Sequence, residues 1–547
     1  METKTKFKFF NINGKFGRGP YGKPDYPDIK SLLAEMDRLG VWQSVACHVH
    51  ARDLNPTQGN KETLAAIENE PEADGRILPS LTAAPAMSAG SGEIEFLTEC
   101  LRTGKSAVIE LFPASNRYRL VEMARIFEQV EQYHPVVMID AAEMNLTTDI
   151  EDLVLLAHRF SGVKFVVRQA MWGQFSRVYD AMDRAKIYLD SSWLHMRRAV
   201  ELVCKQFGGD RLLFGLGPKS HAGASIGALA YSGVPDGQKQ RVAHTNFIDL
   251  LPAGALKDKF AANAKYIPNR VSNTYWNPFL AGKGAKCAVT DAHGHTGTIN
   301  TGWYLRDSGE AEQVRALDHE FGTFNYEMFI TSSGTALFGD PIEGNRQAEL
   351  LMKNRKRFRG YLVYSPYYAE DFTEKVLDDF FDRGFFVGFK FLPDYIKAPV
   401  DDKRWRPAFN YADRYHMPIL VHTWDGAYDS PAMLAGVAAD YPDATVLFAH
   451  TGGGEKGRME CEAIAQDPKY NNCMFEFCGS FCNNVEWSET LKKMDHRRVV
   501  FGTDASGHDI GWEMGRLLSM DIDDEKLENI LGRNMRSILA KSKKFRA

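Results

Sequence analysis

The stretch Thr290-Asp291-Ala292-His293-Gly294-His295-Thr296-Gly297 decides how the rest of this 547-residue chain is read. It reads as the end of an apolar strand carrying two histidines one residue apart. Side chains at i and i+2 of a strand lie on the same side, so the two imidazoles converge on one point. Imidazole is the commonest protein ligand of a divalent transition metal. An H-x-H pair alone is weak evidence, because a lone strand-end histidine is more often a hydrogen-bonded structural residue.

Residues further along add to it. His422 ends the apolar run Ile419-Leu420-Val421, His450 ends Val446-Leu447-Phe448-Ala449, and Asp504 follows Val499-Val500-Phe501-Gly502-Thr503. Other strand-length runs are Tyr361 to Tyr364 and Phe385 to Phe391. Amphipathic stretches lie between them, such as Glu374 to Arg383, where Val376, Leu377, Phe380 and Phe381 fall at helical spacing. Alternating apolar strands and helices indicate parallel βαβ units buried on both faces. Closed into a barrel, such strands bring all their C-terminal ends to one mouth, where barrels of this kind place their active sites.

The same order of elements occurs earlier in the chain. Pro135 to Asp140 mirrors Pro418 to His422, and Val163 to Arg168 mirrors Thr445 to His450. The step from Asp140 to Arg168 equals that from His422 to His450, 28 residues. Arg211 to Gly215 mirrors Arg498 to Gly502, and Asn246 before Leu250-Leu251 mirrors Asn534 before Ile538-Leu539. The spacing predicts two tandem TIM-barrel-like (β/α)8 domains, an α/β fold, over residues 1–252 and 285–547. The turn-rich segment 253–284, with a helix from Ala255 to Tyr266, joins them.

Carrying the ligand positions back gives Asn13 and Lys15 for His293 and His295. Asp140 stands for His422, Arg168 for His450, Gly217 for Asp504 and Glu110 for Lys390. Lys15 and Arg168 would repel a cation, so the first copy is expected to bind no transition metal and to support the second barrel. A second H-x-H, His48-Val49-His50, follows the run Val45-Ala46-Cys47. With no other ligand near it in sequence, it is read as structural.

Asp291-Ala292-His293-Gly294-His295, His422, His450 and Asp504 resemble the amidohydrolase superfamily. Within it the likeness is to the amidohydrolase-related family that contains aminocarboxymuconate-semialdehyde decarboxylase. The G-x-K-x-x-P run Gly388 to Pro393 and the closing Ile530-Leu531-Gly532-Arg533-Asn534 belong to the same likeness, which covers about 260 residues. The resemblance implies His293, His295 and His422 as ligands of a divalent metal. Asp504 would be a fourth ligand or the base beside it, His450 a catalytic group just off the metal, and Asp291 a supporting residue. Zinc is the first expectation and manganese the second. Lys390 is expected to contact substrate, a bridging role between two metals being the lesser alternative. Trp303 and Tyr304 after the first strand, Ser332 and Ser333 after the second, Tyr367 after the third and Trp424 and Asp425 after the fifth are expected around the mouth.

The reading is a metal-dependent hydrolase of an amide, ester or lactone. The alternatives are a non-oxidative decarboxylase of a cyclic or unsaturated carboxylic acid and a non-catalytic binding protein with a structural metal. Composition fits an enzyme acting on a small molecule: 44% apolar residues, 25% charged, and a net charge of only −5. No basic field exists to attract nucleic acid or an anionic membrane. No run approaches the roughly 18 apolar residues of a membrane span. No signal-peptide core precedes the first strand. Eight cysteines without a C-x-x-C pair suggest a reduced, cytoplasmic protein. Cys473, Cys478 and Cys482 are read as strand-end or core residues. Self-association into a homo-oligomer is left open.

Overall fold

The computed structural model describes residues 7–89, 92–145, 147–297, 309–478 and 487–546. It contains two eight-stranded sheets, each with its strands in sequential order. The first runs through β1 (Phe10–Phe16), β2 (Gln43–His48), β3 (Ile77–Thr82), β4 (Val108–Leu111), β5 (Val136–Asp140), β6 (Lys164–Arg168), β7 (Ile187–Asp190) and β8 (Leu212–Leu213). The second runs through β9 (Val289–Thr296), β10 (Tyr326–Ser333), β11 (Phe358–Val363), β12 (Phe386–Phe391), β13 (Pro418–His422), β14 (Thr445–Ala449), β15 (Cys473–Phe477) and β16 (Val499–Phe501). Every neighbouring pair is parallel, from β1 with β2 to β15 with β16. Each sheet closes on itself: Ile12 N–H donates to Phe214 O at 3.2 Å in the first and Asp504 N–H to His293 O at 2.8 Å in the second. The two tandem barrels expected from the spacing are present.

Inward-facing apolar residues fill each barrel below its mouth. Ile12, Val45, Leu78, Val108, Met138 and Val166 form the first cluster with Phe247 and Leu250 of the closing helix, and Ala292, Ile330, Leu420, Leu447 and Val500 form the second with Met535, Ile538 and Leu539. The closing helices are built alike. A π-helical turn, Arg241–Thr245 or Asn529–Arg533, precedes the asparagine that opens the last helix. Asn246 Nδ2 then donates to Gly209 O and Leu212 O, and Asn534 Nδ2 to His496 O and Val499 O. Buried carbonyls at the last strand need donors, and these asparagines supply them.

The segment 253–284 is shared between two compact units, Met1–Val271 and Ser272–Ala547. Its helix Ala255–Ala262, shorter than expected, belongs to the first, where Phe260 O accepts from Gln43 Nε2 at 2.9 Å. The helix Trp276–Leu280 belongs to the second, anchored by Asn273 Nδ2 on Leu518 O and Met520 O, both at 3.0 Å. Among the described residues no helix is long and apolar enough to cross a membrane.

Candidate active site

Asp291 fixes the geometry of the mouth. Its Oδ1 accepts the N–H groups of His293 (3.0 Å) and Thr503 (3.2 Å), and its Oδ2 accepts the hydroxyls of Thr503 (2.6 Å) and Tyr326 (3.1 Å). The carboxyl is fully buried, and burial pushes it up to about 8 against the pull of these bonds. It thereby pins the ends of β9 and β16 together and sets where His293, His295 and Asp504 stand.

His293 is buried and held from behind: Nδ1 lies 2.9 Å from Glu476 Oε2. A carboxylate only accepts, so the proton is on Nδ1 and the lone pair on Nε2. His422 is held the same way, Nδ1 at 2.7 Å from the buried Asp429 Oδ2. A buried carboxylate behind an imidazole is the usual support of a metal-ligating histidine. His295 has Ser332 Oγ at 2.9 Å from Nδ1 and Asp504 Oδ1 at 2.9 Å from Nε2. Asp504 Oδ1 is also 3.7 Å from His293 Nε2. One ligand atom from each of His293, His295 and Asp504 lies within 4.8 Å of the others, so the donor set suits a divalent metal.

A positive charge already sits against this set. Lys390 Nζ is 2.7 Å from His293 Nε2 and fully buried. Burial lowers Lys390 from the ordinary lysine value while Glu476 and Asp504 pull it back up. Burial likewise pushes Glu476 up. Burial lowers His293 and brings His295 down to about 4, so both are neutral. Asp504 is partly exposed; burial works to raise it, yet its bond with His295 and the surrounding imidazoles hold it well below the carboxylate range. His450 packs its ring 5.0 Å from His293 and 5.2 Å from His422. Its backbone N–H donates to Glu476 Oε2 at 3.0 Å.

The mouth therefore gathers His293, His295, His422, His450, Lys390 and Asp504. Trp424 stacks on His422 with ring centroids 5.9 Å apart and planes 12° apart. Tyr367 stands outside the group, 49% exposed beneath the Arg404 guanidinium. Trp303, Tyr304 and Cys482 lie outside the described residues. Glu476, Asp429 and Ser332, which hold the imidazoles, were not read from sequence as supports. Glu476 interrupts the otherwise apolar strand Cys473–Phe477, a signal in plain view. Cys478 also lies close to His293, His450 and Glu476, but burial pushes its thiol well up, which keeps it protonated.

The first barrel uses the same frame for different chemistry. Asn11 Oδ1 accepts from Asn13 and Leu216 N–H as Asp291 does from His293 and Thr503, and Asn13 Nδ2 donates to Asp190 on β7 at 2.5 Å. Asp190 thus stands where Glu476 stands. The ladder corrects one sequence match. Asp140 pairs with Arg168 on β6, whereas His422 pairs with Ala449 on β14. Gln169 is therefore the counterpart of His450, with φ 53° against 59°, and its N–H donates to Asp190 as that of His450 does to Glu476. One extra residue between the strands hides this shift from simple counting. Arg168, at the place of Ala449, fills the interior. It binds Asp140 at 2.9 Å and Glu110 at 2.8 Å, while Lys15 binds the other oxygen of Asp140. Two cations and two carboxylates plug this mouth.

The sequence profile of the amidohydrolase family matches residues 291–539. No curated protein matches the chain. Among solved structures, 5-carboxyvanillate decarboxylase from Sphingomonas paucimobilis is similar at 12% identity, over 45% of this chain and 99% of its own, with a TM-score of 0.37. So is 2,6-dihydroxybenzoate decarboxylase from Rhizobium, at 16% identity, over 46% of this chain and 99% of its own, with a TM-score of 0.36. A third is 5-carboxyvanillate decarboxylase from Novosphingobium aromaticivorans in complex with manganese and 4-hydroxy-3-methoxy-5-nitrobenzoic acid, at 13% identity, over 47% of this chain and 96% of its own, with a TM-score of 0.36. With its profile match over 291–539 and its eight parallel strands ending in this histidine–aspartate mouth, the second barrel is a domain of the amidohydrolase superfamily.

Proposed function

We propose that the second barrel is a metal-dependent hydrolase of a small-molecule amide, ester or lactone. The observation that carries this reading is the pair of buried carboxylates behind His293 and His422. They leave Nε2 of each ring as the lone pair, in the mouth that also holds Asp504. His293, His295, His422 and Asp504 would hold the ion, zinc before manganese given three nitrogens and one oxygen. A bound divalent ion supplies Lewis acidity toward a substrate oxygen or water.

The chain's own residues do the rest. Asp504, held ionised, takes a proton from the attacking water and returns it to the leaving group. His450, neutral, donates to the oxygen that gains charge. Two cations repel at the spacing Lys390 keeps from His293. With a divalent ion held by His293, Lys390 would turn from Nε2 toward an anionic substrate group.

That ammonium favours a second reading, decarboxylation of a carboxylic acid, in which Lys390 would hold the acid and Asp504 would first take a proton from water and then pass it to the carbon that loses carbon dioxide. Trp424 on the face of His422, with Tyr395 edge-on 5.0 Å from it, suits a cyclic acid. Carbon dioxide release and ester or amide cleavage, measured over matched panels of cyclic acids and their esters, amides and lactones, separate the two. Cleavage without gas release supports hydrolysis, and gas release without cleavage overturns it.

A further inference from the structure

The H-x-H of the first barrel, read as structural from sequence, gains a third partner from the fold. His48 ends β2, His50 opens the short helix His50–Asp53, and Glu62 lies on the helix Pro56–Glu68. Glu62 Oε2 is 2.7 Å from His50 Nδ1 and 3.3 Å from His48 Nδ1. The rings meet edge to face with centroids 4.3 Å apart. All three residues are partly exposed, and one ligand atom from each lies within 4.8 Å of the others.

The hydrogen bonds around these atoms leave a deficit of positive charge between them. His50 Nε2 faces the Arg18 carbonyl at 3.0 Å, which can only accept, so Nε2 carries a proton. His48 Nδ1 accepts the backbone N–H of His50 at 3.2 Å, so it presents a lone pair. The other oxygen of Glu62 accepts from Gln58 Nε2 at 2.9 Å. An imidazole nitrogen, a second imidazole lone pair and a carboxylate oxygen thus face one another, and a cation between them satisfies all three. Ligands at zinc bond lengths in tetrahedral array stand about 3.3 Å apart, the separation found between His48 Nδ1 and Glu62 Oε2. The bond from His50 Nε2 to a carbonyl is the outer contact that orients a ligating imidazole. Two contacts compete: the His50 N–H on His48 Nδ1, a long bond that shares the lone pair a metal would take, and the 2.7 Å contact of His50 Nδ1 with Glu62.

The scaffold is tight and does not itself demand these residues. His48 N–H donates to Thr63 Oγ1 at 2.9 Å, and Gly59 lets the longer helix touch Ala51, where a Cβ would meet the backbone nitrogen at 2.1 Å. The second barrel builds the same turn, with Gly344 against Ala336 and a Cβ there 2.3 Å from its nitrogen. At the positions of His48, His50 and Glu62 it has Ser333, Thr335 and Gln347. Two imidazoles and a carboxylate in one copy, against two hydroxyls and an amide in the other, mark a feature peculiar to the first barrel.

We propose that His48, His50 and Glu62 form a divalent-cation site for a borderline metal such as zinc, nickel or copper, with water completing the coordination. This site is independent of the function proposed for the second barrel.

Zinc titrated calorimetrically into chelator-stripped full-length protein tests it. Wild type is expected to bind one equivalent more than His48→Ala/His50→Ala, and Glu62→Gln is expected to weaken that equivalent at least tenfold. Wild-type crystals grown with zinc are expected to show an anomalous peak beside His50 Nδ1 and Glu62 Oε2, absent in Glu62→Gln. Equal stoichiometry in wild type and Glu62→Gln, with no peak there, overturns the proposal and leaves His50 as an imidazolium paired with Glu62. If the double variant does not fold, Glu62→Gln and the map decide. A peak beside His293 and His295 reports on the other site and leaves this result unchanged.

Discussion

Glu476 grips His293 through Nδ1 at 2.9 Å across 183 residues of sequence, and the same carboxylate accepts the backbone N–H of His450. One buried acid therefore fixes the tautomer of one imidazole and the position of another.

Replacing that acid by its amide keeps the shape and removes the charge. Glu476→Gln is expected to fold and to bind zinc about tenfold more weakly, the lower end of the effect of losing an outer partner of a metal ligand. Competition with a chromogenic chelator measures it. Unchanged affinity would remove Glu476 from its supporting role.

Asp504 is assigned the proton. Asp504→Asn keeps a donor-capable side chain at the same place but cannot act as a base. Turnover is expected to fall by about 10²–10⁴-fold, with metal retained at saturating zinc. Near-wild-type turnover in a metal-loaded variant would move the proton to another group.

The first mouth makes a prediction about stability. Arg168→Met strands Glu110 as a buried carboxylate and leaves Asp140 with Lys15 alone, at an expected cost of about 3–5 kcal/mol. Adding Glu110→Gln removes the unpaired charge, with Asp140 still paired to Lys15, and is expected to recover much of it. Native-state hydrogen exchange at β5 and β6 reports the difference. Equal destabilisation in the single and double variants would show that packing, not charge, holds this mouth.

His244 gives the pH dependence. It is buried with Nε2 2.9 Å from Gln43 Oε1, and burial lowers it from 6.5 to about 4, with Lys8 acting in the same direction. Between those values the unfolded chain takes up a proton that the folded one refuses, so stability falls as pH drops from about 6.5 to about 4. The first unit is expected to lose stability across that window, and His244→Gln to flatten the loss. A profile unaltered by the substitution would assign the loss to other groups.

Much of this was legible in the sequence, because parallel strands buried on both faces are written as apolar runs and because the mouth residues end them. His293, His295, His422, His450 and Asp504 stand where those runs stop. Less legible were the residues that act across the barrel. Glu476 and Asp429 mean little until β15 and the loop after β13 come up behind His293 and His422. The mismatch of Arg168 with His450 came from equal counting across loops of unequal length, and only the strand ladder resolves it. One more repeat is written in both copies: Pro56-Thr57-Gln58-Gly59-Asn60 against Pro341-Ile342-Glu343-Gly344-Asn345. Asn60 and Asn345 each bridge to the next strand, through Thr82 and Val363. Glu62 joins His48 and His50 only because a helix folds back, which no spacing rule for metal ligands covers.

On the proposed function, the second barrel works through a metal held by His293, His295, His422 and Asp504. Crystals of turnover-competent full-length protein, examined at the absorption edge of the metal it carries, test this most directly. An anomalous peak is expected within about 2.0–2.2 Å of an imidazole nitrogen of His293, of His295 and of His422, with Asp504 beside it. Active protein with no metal at that mouth would contradict it.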